Sequence, residues 1–162
     1  MNLANKHKGI VVGTGDLSEI ALGWCTYNGD HMSMYSVNAT VTKTCVALIV
    51  GWYASREAQS ERLAATLADI VATPYSPELL PVQAGENEMI QPTEQLIGPY
   101  ELHDFFLYHM IYGKSSPEKV FYLASVAFAE KYNQEIIRTT MKHFVKRFFS
   151  QQFKRNCMPD GP

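Results

Sequence analysis

Apolar positions recur at helical intervals along most of this chain and form one β-branched run near its start. The run at residues 9–13 lies between glycines and predicts a short buried strand. Asp16 followed by Glu19 three residues later predicts the capped start of a helix. The predicted apolar face of that helix comprises Leu17, Ile20, Ala21 and Trp24. A polar, glycine-containing loop is expected at residues 26–40.

The rest of the pattern is helical. Further helices are predicted at about residues 42–54, 56–72, 100–112, 117–132 and 134–149, with residues 1–8 as the end of another. The inward positions are predicted to be Leu63, Leu67 and Ile70 in one helix and Ile137, Met141, Phe144, Val145 and Phe148 in the last. Ser116 before Pro117 predicts a capped helix start. The chain is therefore expected to be mainly α-helical, with one or two short strands.

Composition excludes several classes of protein. With 46% apolar and 19% charged residues among 162, the chain is not intrinsically disordered. A net charge of −2 argues against a general nucleic-acid binder, and no apolar run approaches the ~20 residues of a membrane span. Cys25, Cys45 and Cys157 are too widely spaced for a zinc knuckle or a disulfide framework, which favours a reducing cytoplasm.

The glycine turn Gly13-Thr14-Gly15 joins the predicted strand to the predicted helix. Backbone amides at such a turn meet anions, and the helix dipole adds attraction. However, Ser18 occupies the third glycine position of a dinucleotide fingerprint, and no Walker lysine follows. On spacing alone, an ordinary strand-to-helix turn is the preferred interpretation.

Other candidate side chains each allow two interpretations. Glu19 is either the acid of a capping box or a ligand for magnesium near a phosphate. Trp24 and Tyr27 are either core residues or a stacking surface for a flat ring. Lys43 is either a phosphate contact or a surface lysine. The six lysines and arginines of residues 136–156 favour a solvated helix face from charge alone.

Two further groups of residues are not expected to bind a metal or to act as a nucleophile. His103 and His109 are six residues apart, which is not a metal-ligand interval, and His103 with Asp104 is predicted to lie on a helix surface. Cys25 has no evident base beside it, so a nucleophilic thiol is not expected. No catalytic side chain is assigned.

The order of motifs resembles one enzyme family. The segments that carry the resemblance are GIVVGTGDLSEIALGWCTY at 9–27, NGDHMS at 28–33, VNA at 37–39, TKT at 42–44, SPEL at 76–79, GPYELHDF at 98–105, FFSQQFKR at 148–155 and PDGP at 159–162. Together they are similar to the synthetase domain of glutamine-dependent NAD synthetases. The segments at 56–67 and 84–92 are the least similar to that family.

The resemblance implies a fold and a reaction. Its family has a Rossmann-like α/β fold of the ATP-pyrophosphatase (adenine nucleotide alpha hydrolase-like) class. It converts deamido-NAD to NAD with ATP, Mg²⁺ and ammonia from a glutaminase domain. A cytoplasmic homo-oligomer without nucleic-acid or membrane partners is expected.

Site residues follow from the same resemblance, position by position. Thr14, Lys43 and Ser76 match ATP contacts. Glu19, Trp24, Cys25, Thr26, Tyr27 and Lys154 match deamido-NAD contacts, with Glu19 also at the metal.

Residues 1–162 are expected to be the C-terminal portion of the amidation domain. The family's Ser-Gly-Gly pyrophosphate loop and its glutaminase domain have no counterpart in this sequence. The chain alone is therefore expected to lack turnover, and apolar surface is expected to be exposed or covered by self-association. Two alternatives remain: a non-catalytic helical interaction module, with Glu19 and Lys43 pointing apart, or another ATP-pyrophosphatase amidotransferase.

Overall fold

A computed structural model describes residues 1–75 and 93–162. The helices in these ranges are α1 (Asn2–His7), α2 (Leu17–Leu22), α3 (Lys43–Arg56), α4 (Glu61–Ala72), α5 (Thr93–Ile97), α6 (Tyr100–Leu107), α7 (Pro117–Ala127), α8 (Gln134–Ser150) and α9 (Gln152–Arg155). A π-helical segment, Tyr108–Tyr112, continues α6. The strands are β1 (Val12–Gly13) and β2 (Tyr35–Ser36). The expectation of a mainly helical chain with one or two short strands is confirmed for these residues.

The two strands lie parallel, with α2 between them in the chain. Val12 pairs with Tyr35 and Gly13 with Ser36. The predicted strand at 9–13 is thus shortened to two residues, and β2 lies inside the segment predicted to be a loop. Parallel pairing depends on a partner distant in sequence, so local polarity did not reveal β2.

The core is built around α6. Its side chains pack with those of α2, α7 and α8, and the fully buried large residues include Leu102, Phe106, Phe144 and Leu22. Predicted inward positions Ile137, Met141 and Phe144 of α8 are buried, and Val145 and Phe148 pack against the core. Ser116 caps α7 as predicted, by accepting from the amide of Lys119.

Some helix boundaries and faces differ from prediction. Helix α4 begins at Glu61 rather than near 56, α7 ends at Ala127 rather than 132, and α5 and α9 were not predicted. In α2 the predicted face is confirmed for Ala21, which is buried, and for Leu17 and Trp24, which pack against the core, while Ser18 and Leu22 are buried as well. Neither α3 nor α4 contains a buried residue, and Ile70 is exposed. The apolar pattern alone does not say which partners are available to cover it.

Among the described residues, no helix is both long enough and apolar enough to cross a membrane.

Candidate functional site

The strand-to-helix corner forms one wall of the site. Asp16 caps α2 by accepting from the Glu19 amide at 3.0 Å, and Glu19 Oε2 accepts from the Asp16 amide at 3.2 Å. This reciprocal pair is the predicted capping box, and it holds both carboxylates at the same helix end. Thr14, just before the helix, is exposed.

Lys43 bridges the two carboxylates from the first position of α3. Its Nζ lies 2.9 Å from Asp16 Oδ2 and 2.8 Å from Glu19 Oε1. The ammonium also lies 4.9 Å from the ring centroid of Tyr75 and 5.4 Å from that of Tyr100. The structure therefore brings Glu19 and Lys43 together.

Burial and charge act against each other in this cluster. Burial, reinforced by the charge of Asp16, raises the pKa of Glu19, while Lys43 lowers it and does not fully compensate. Burial alone would lower the pKa of Lys43, but the combined attraction of Asp16 and Glu19 outweighs it and raises that pKa. Lys43 is thus a cation at neutral pH.

Three cations from the end of the chain anchor the opposite wall, and two of them, Arg147 and Lys154, are part of that wall. Backbone carbonyls at the end of α2 and just after it accept from Arg155 (Ala21, 3.0 Å), Arg147 (Leu22, 2.9 Å; Gly23, 3.3 Å) and Lys154 (Gly23, 3.1 Å; Cys25, 2.7 Å). Positive charge at a helix C-terminus is favourable because the last carbonyls are unpaired and carry the negative end of the dipole. These three cations therefore dock on α2 and the residues after it, whereas Arg138, Lys142 and Lys146 are exposed, as charge counting favoured.

Gly23 makes that docking possible. Its φ is +58°, in the left-handed region, and a Cβ there would lie 2.4 Å from Gln151 Cβ. Arg147 also stacks over Trp24, with its guanidinium carbon 4.7 Å from the ring centroid. Burial lowers the pKa of Arg147, since its head group is packed between ring and helix.

His31 fixes the loop that follows Trp24. Its Nδ1 accepts from the Asn28 amide at 3.1 Å, so Nε2 carries the proton and donates to the Lys154 carbonyl at 3.0 Å. The loop and α9 are thereby tied together beside Lys154. Tyr27 packs in the same corner, 5.8 Å from Phe153 between ring centroids.

These walls enclose a hollow of about 680 Å³. This cavity is called the hollow below. The residues that line it are Thr14, Gly15, Glu19, Ile20, Gly23, Trp24, Cys25, Thr26, Gly29, Asp30, Lys43, Arg147, Lys154 and Met158. Seven predicted site residues are among them: Thr14, Glu19, Trp24, Cys25, Thr26, Lys43 and Lys154. Tyr27 does not line the hollow, and Ser76 lies outside the described residues.

Comparison with known proteins identifies the family. The sequence model of NAD synthase matches residues 1–157. The chain belongs to the NAD synthase family. The resemblance of its motifs to that family is therefore confirmed.

Curated relatives are NAD synthetases of greater length. The chain is 39% identical to the glutamine-dependent NAD(+) synthetase of Mycobacterium leprae and 40% to that of Mycobacterium tuberculosis, over 99% of this chain and 26% of each relative. It is 30% identical to that of Thermotoga maritima, over 91% of this chain and 23% of the relative. The chain thus spans about a quarter of the length of these relatives.

A solved structure shares the fold. The crystal structure of a glutamine-dependent NAD(+) synthetase from Cytophaga hutchinsonii superposes with a TM-score of 0.67 at 16% identity, over 99% of this chain and 22% of that one.

The carboxylates of Asp16 and Glu19 are suited to magnesium in their chemistry. Mg²⁺ is commonly held by one or two carboxylates together with substrate phosphates; Glu19 lines the hollow, and Asp16, which does not line it, presents an oxygen to the same Lys43 ammonium. In the described ranges, no three metal-binding side chains converge, so phosphate oxygens would have to complete the coordination. Lys43 supplies the positive charge between the two carboxylates in this structure.

Sequence reasoning placed two residues wrongly. His103 and Asp104 were predicted on a helix surface, but they are 1% and 8% exposed. Helix α6 is buried on nearly every face. The apolar run Phe105-Phe106-Leu107 beside these two residues could have indicated that burial. Sequence reasoning also did not single out Arg147. Its guanidinium donates to backbone carbonyls that are distant in the chain, and such contacts leave no pattern in the local sequence.

Cys25 lines the hollow without the features of a nucleophile. Burial raises the pKa of its thiol, against the opposing charge of Lys154, so the protonated form dominates at neutral pH. This agrees with the prediction that the thiol is not catalytic.

Proposed function

We propose that this chain is part of an ATP-dependent ligase that converts deamido-NAD to NAD. The observation that carries the proposal is the convergence of seven predicted contact residues on one hollow. A carboxylate oxygen of deamido-NAD attacks the α-phosphorus of ATP and pyrophosphate leaves. Ammonia then attacks the activated carbonyl carbon, and AMP leaves with the bonding electrons.

The two walls of the hollow suit two different substrates. On the wall formed by the strand-to-helix corner and Lys43, Thr14 and Lys43 are proposed to contact ATP phosphates. Ser76, outside the described residues, is proposed as a third contact. Glu19 is proposed to hold Mg²⁺, which when bound would neutralise phosphate charge. Lys43 stabilises the departing pyrophosphate once it is released from its two carboxylates.

The other wall is proposed to bind deamido-NAD. Trp24, held in place by Arg147, presents a ring for stacking, and Cys25 and Thr26 follow it along the hollow. The Lys154 ammonium donates to the Gly23 and Cys25 carbonyls, so it shapes this wall and keeps positive charge near it. Tyr27 is proposed to complete the pocket from beside Phe153.

The wider setting is proposed from the family. The strands β1 and β2 would belong to a Rossmann-like α/β sheet, with this chain as the C-terminal portion of the amidation domain. The pyrophosphate loop and ammonia from a glutaminase domain would come from other parts of a full-length protein. We propose that the chain alone has no turnover, that the full-length protein is a cytoplasmic homo-oligomer, and that it uses neither nucleic acid nor membrane.

The alternatives are less well supported. A non-catalytic module predicts that Glu19 and Lys43 point apart, whereas their charged atoms are 2.8 Å apart. Another ATP-pyrophosphatase amidotransferase is disfavoured by the family match over residues 1–157.

The test is Glu19→Gln in the full-length protein, meaning this chain within a polypeptide as long as its curated relatives. Glutamine at this position still completes a capping box, so the helix start is retained while the metal-binding charge is lost. We expect NAD formation from deamido-NAD and ammonia to fall by about 100-fold, because removing one charge-stabilising group costs several kcal/mol.

The matched control is Glu118→Gln, in the exposed first turn of α7. It should leave the rate unchanged. Wild-type rates for E19Q at limiting magnesium would remove Glu19 from the mechanism.

A further inference from the structure

Asp104 is a buried carboxylate just behind the hollow. It lies on α6, is 8% exposed and does not line the hollow itself. Its oxygens accept from the Ser18 hydroxyl, from the Thr44 amide at 3.0 Å and from the Thr44 hydroxyl at 2.5 Å. These partners are neutral donors, so hydrogen bonds rather than an ion pair hold the carboxylate.

The hydrogen bonds of Asp104 reach two elements of the same wall of the site, the start of α2 and the start of α3. Ser18 lies between Asp16 and Glu19 in the chain, and its hydroxyl oxygen also accepts from the Lys43 amide at 2.9 Å. Thr44 directly follows Lys43 in the first turn of α3. One carboxylate therefore fixes the backbone on both sides of the Lys43 ion pairs.

The position of Asp104 is favourable for the start of α3. The first amides of a helix have no partner within the helix and carry the positive end of its dipole. Asp104 accepts from one of these amides, and Ser18, which donates to Asp104, accepts from the one before it. A lysine with four rotatable side-chain bonds can be aimed only if its backbone is fixed, and these contacts fix it.

We propose that Asp104 is a positioning residue for ATP binding, acting through Ser18 and Thr44 on the Lys43 backbone. This inference rests on the proposed function, because it takes Lys43 to be the phosphate contact. It assigns to Asp104 an effect on the ATP side of the hollow and not on the Trp24 side.

The first test is Asp104→Asn in the full-length protein. Asparagine has the same shape, but it replaces one acceptor with a donor and removes the negative charge. We expect the KM for ATP to rise about tenfold, the usual effect of losing a charged hydrogen bond. The KM for deamido-NAD should change less than about twofold, because Trp24 and Lys154 are fixed by α8 and α9 instead.

The matched control is Glu101→Gln on the same helix. Glu101 contacts Lys131 and Tyr132, which lie away from the hollow. Both KM values should be unchanged in this variant. If D104N raises both KM values equally, or neither, Asp104 is a general packing residue and the inference is wrong.

A milder variant covers the case in which D104N does not fold. Thr44→Val removes the hydroxyl contact with Asp104, together with a 3.4 Å contact to the Thr42 hydroxyl, and keeps the amide contact. We expect the KM for ATP to rise about threefold with the KM for deamido-NAD unchanged. An unchanged KM for ATP in T44V would also overturn the inference.

A measurement without substrate separates this inference from the proposed function. Amide hydrogen exchange of the 162-residue chain should show Lys43 and Thr44 exchanging about tenfold faster in D104N, with α7 amides unchanged. If E19Q keeps full activity, the proposed function fails, yet accelerated exchange still supports the link from Asp104 to Lys43. Unchanged exchange at both amides would disprove the link even if E19Q abolishes activity.

Discussion

The core around α6 and the hairpin formed by α3 and α4 place their apolar side chains in opposite environments. In the core, α6 buries six of its eight residues, including Leu102 and Phe106 at 0% exposure. In the hairpin no residue is buried, and Leu48 and Trp52 are 71% and 57% exposed. Yet residues 45–53 of α3 form one of the most apolar stretches of the sequence.

This contrast separates the two ends of α3. Its first turn is held in the site by Asp104 and by the Lys43 ion pairs, whereas its later turns pack mainly against α4. Apolar surface exposed on this scale is typical of a surface that meets another protein segment. The expectation of exposed apolar surface is therefore met, while self-association stays a prediction.

The largest expected effect compares one leucine from each region. Leu102→Ala should lower the free energy of unfolding by about 2–5 kcal/mol, since it empties part of a close-packed core. Leu48→Ala should change the free energy of unfolding by less than about 0.5 kcal/mol, because truncating an exposed side chain removes few packing contacts. Urea unfolding of the 162-residue chain measures both.

Protein concentration sharpens the same comparison. A loss in L48A that approaches that of L102A, and that grows with protein concentration, would show that a second copy covers the hairpin. If L48A and L102A lose the same free energy of unfolding at every protein concentration, the hairpin is packed within the chain, contrary to the structure.

The second effect is acid sensitivity of the core through His103. Burial lowers its pKa to about 4, although the bond from Nε2 to the Ile97 carbonyl opposes this; His143 and Arg147 on α8 lower it further. Among the described residues, Nδ1 has no hydrogen-bond partner. The folded chain therefore binds this proton less readily than the unfolded chain, whose histidine has a pKa near 6.5.

The sign of the pH dependence follows from that difference. Stability from His103 is fully present above about pH 6.5 and is lost as the pH falls towards 4, by about 2 kcal/mol at pH 5. Urea unfolding between pH 7 and 5 should show this slope in the wild type and a shallower one in His103→Gln. A slope that is identical in both proteins would contradict the prediction.

How much of the molecule follows from sequence depends on the range of the contacts. The cap at Asp16 and Glu19 and the start of α7 at Pro117 involve neighbours within three or four residues, so local rules predict them. Burial of Asp104 depends on Ser18, 86 residues away, and docking of Arg147 depends on Leu22, 125 residues away. No local pattern encodes such pairs.

The hollow itself required both kinds of information. Family motifs selected Glu19, Lys43 and Lys154, but spacing alone left each with an ordinary structural explanation. In the structure Glu19 completes the capping box and also lines the hollow, and its role at a metal stays a proposal. A site built from capping interactions is hard to distinguish from a helix start by sequence alone.

The smallest effect expected is that of Arg147→Lys, compared with Arg138→Lys on the same helix. Arg147 makes a fork onto the Leu22 and Gly23 carbonyls and stacks on Trp24, and lysine cannot reproduce the fork. Arg138 stacks on Phe121 at 4.8 Å from the ring centroid. We expect a loss of about 1 kcal/mol of unfolding free energy for R147K and less than about 0.5 kcal/mol for R138K.

Tryptophan fluorescence adds a local measurement to this pair. In a Trp52→Phe background, Trp24 is the one remaining tryptophan of the chain. Because Arg147 covers its ring, R147K should shift its emission to longer wavelength, whereas R138K should not. Equal stability losses with no shift in either variant would mean that Arg147 does not hold Trp24, and the wall proposed to bind deamido-NAD would then lack that support.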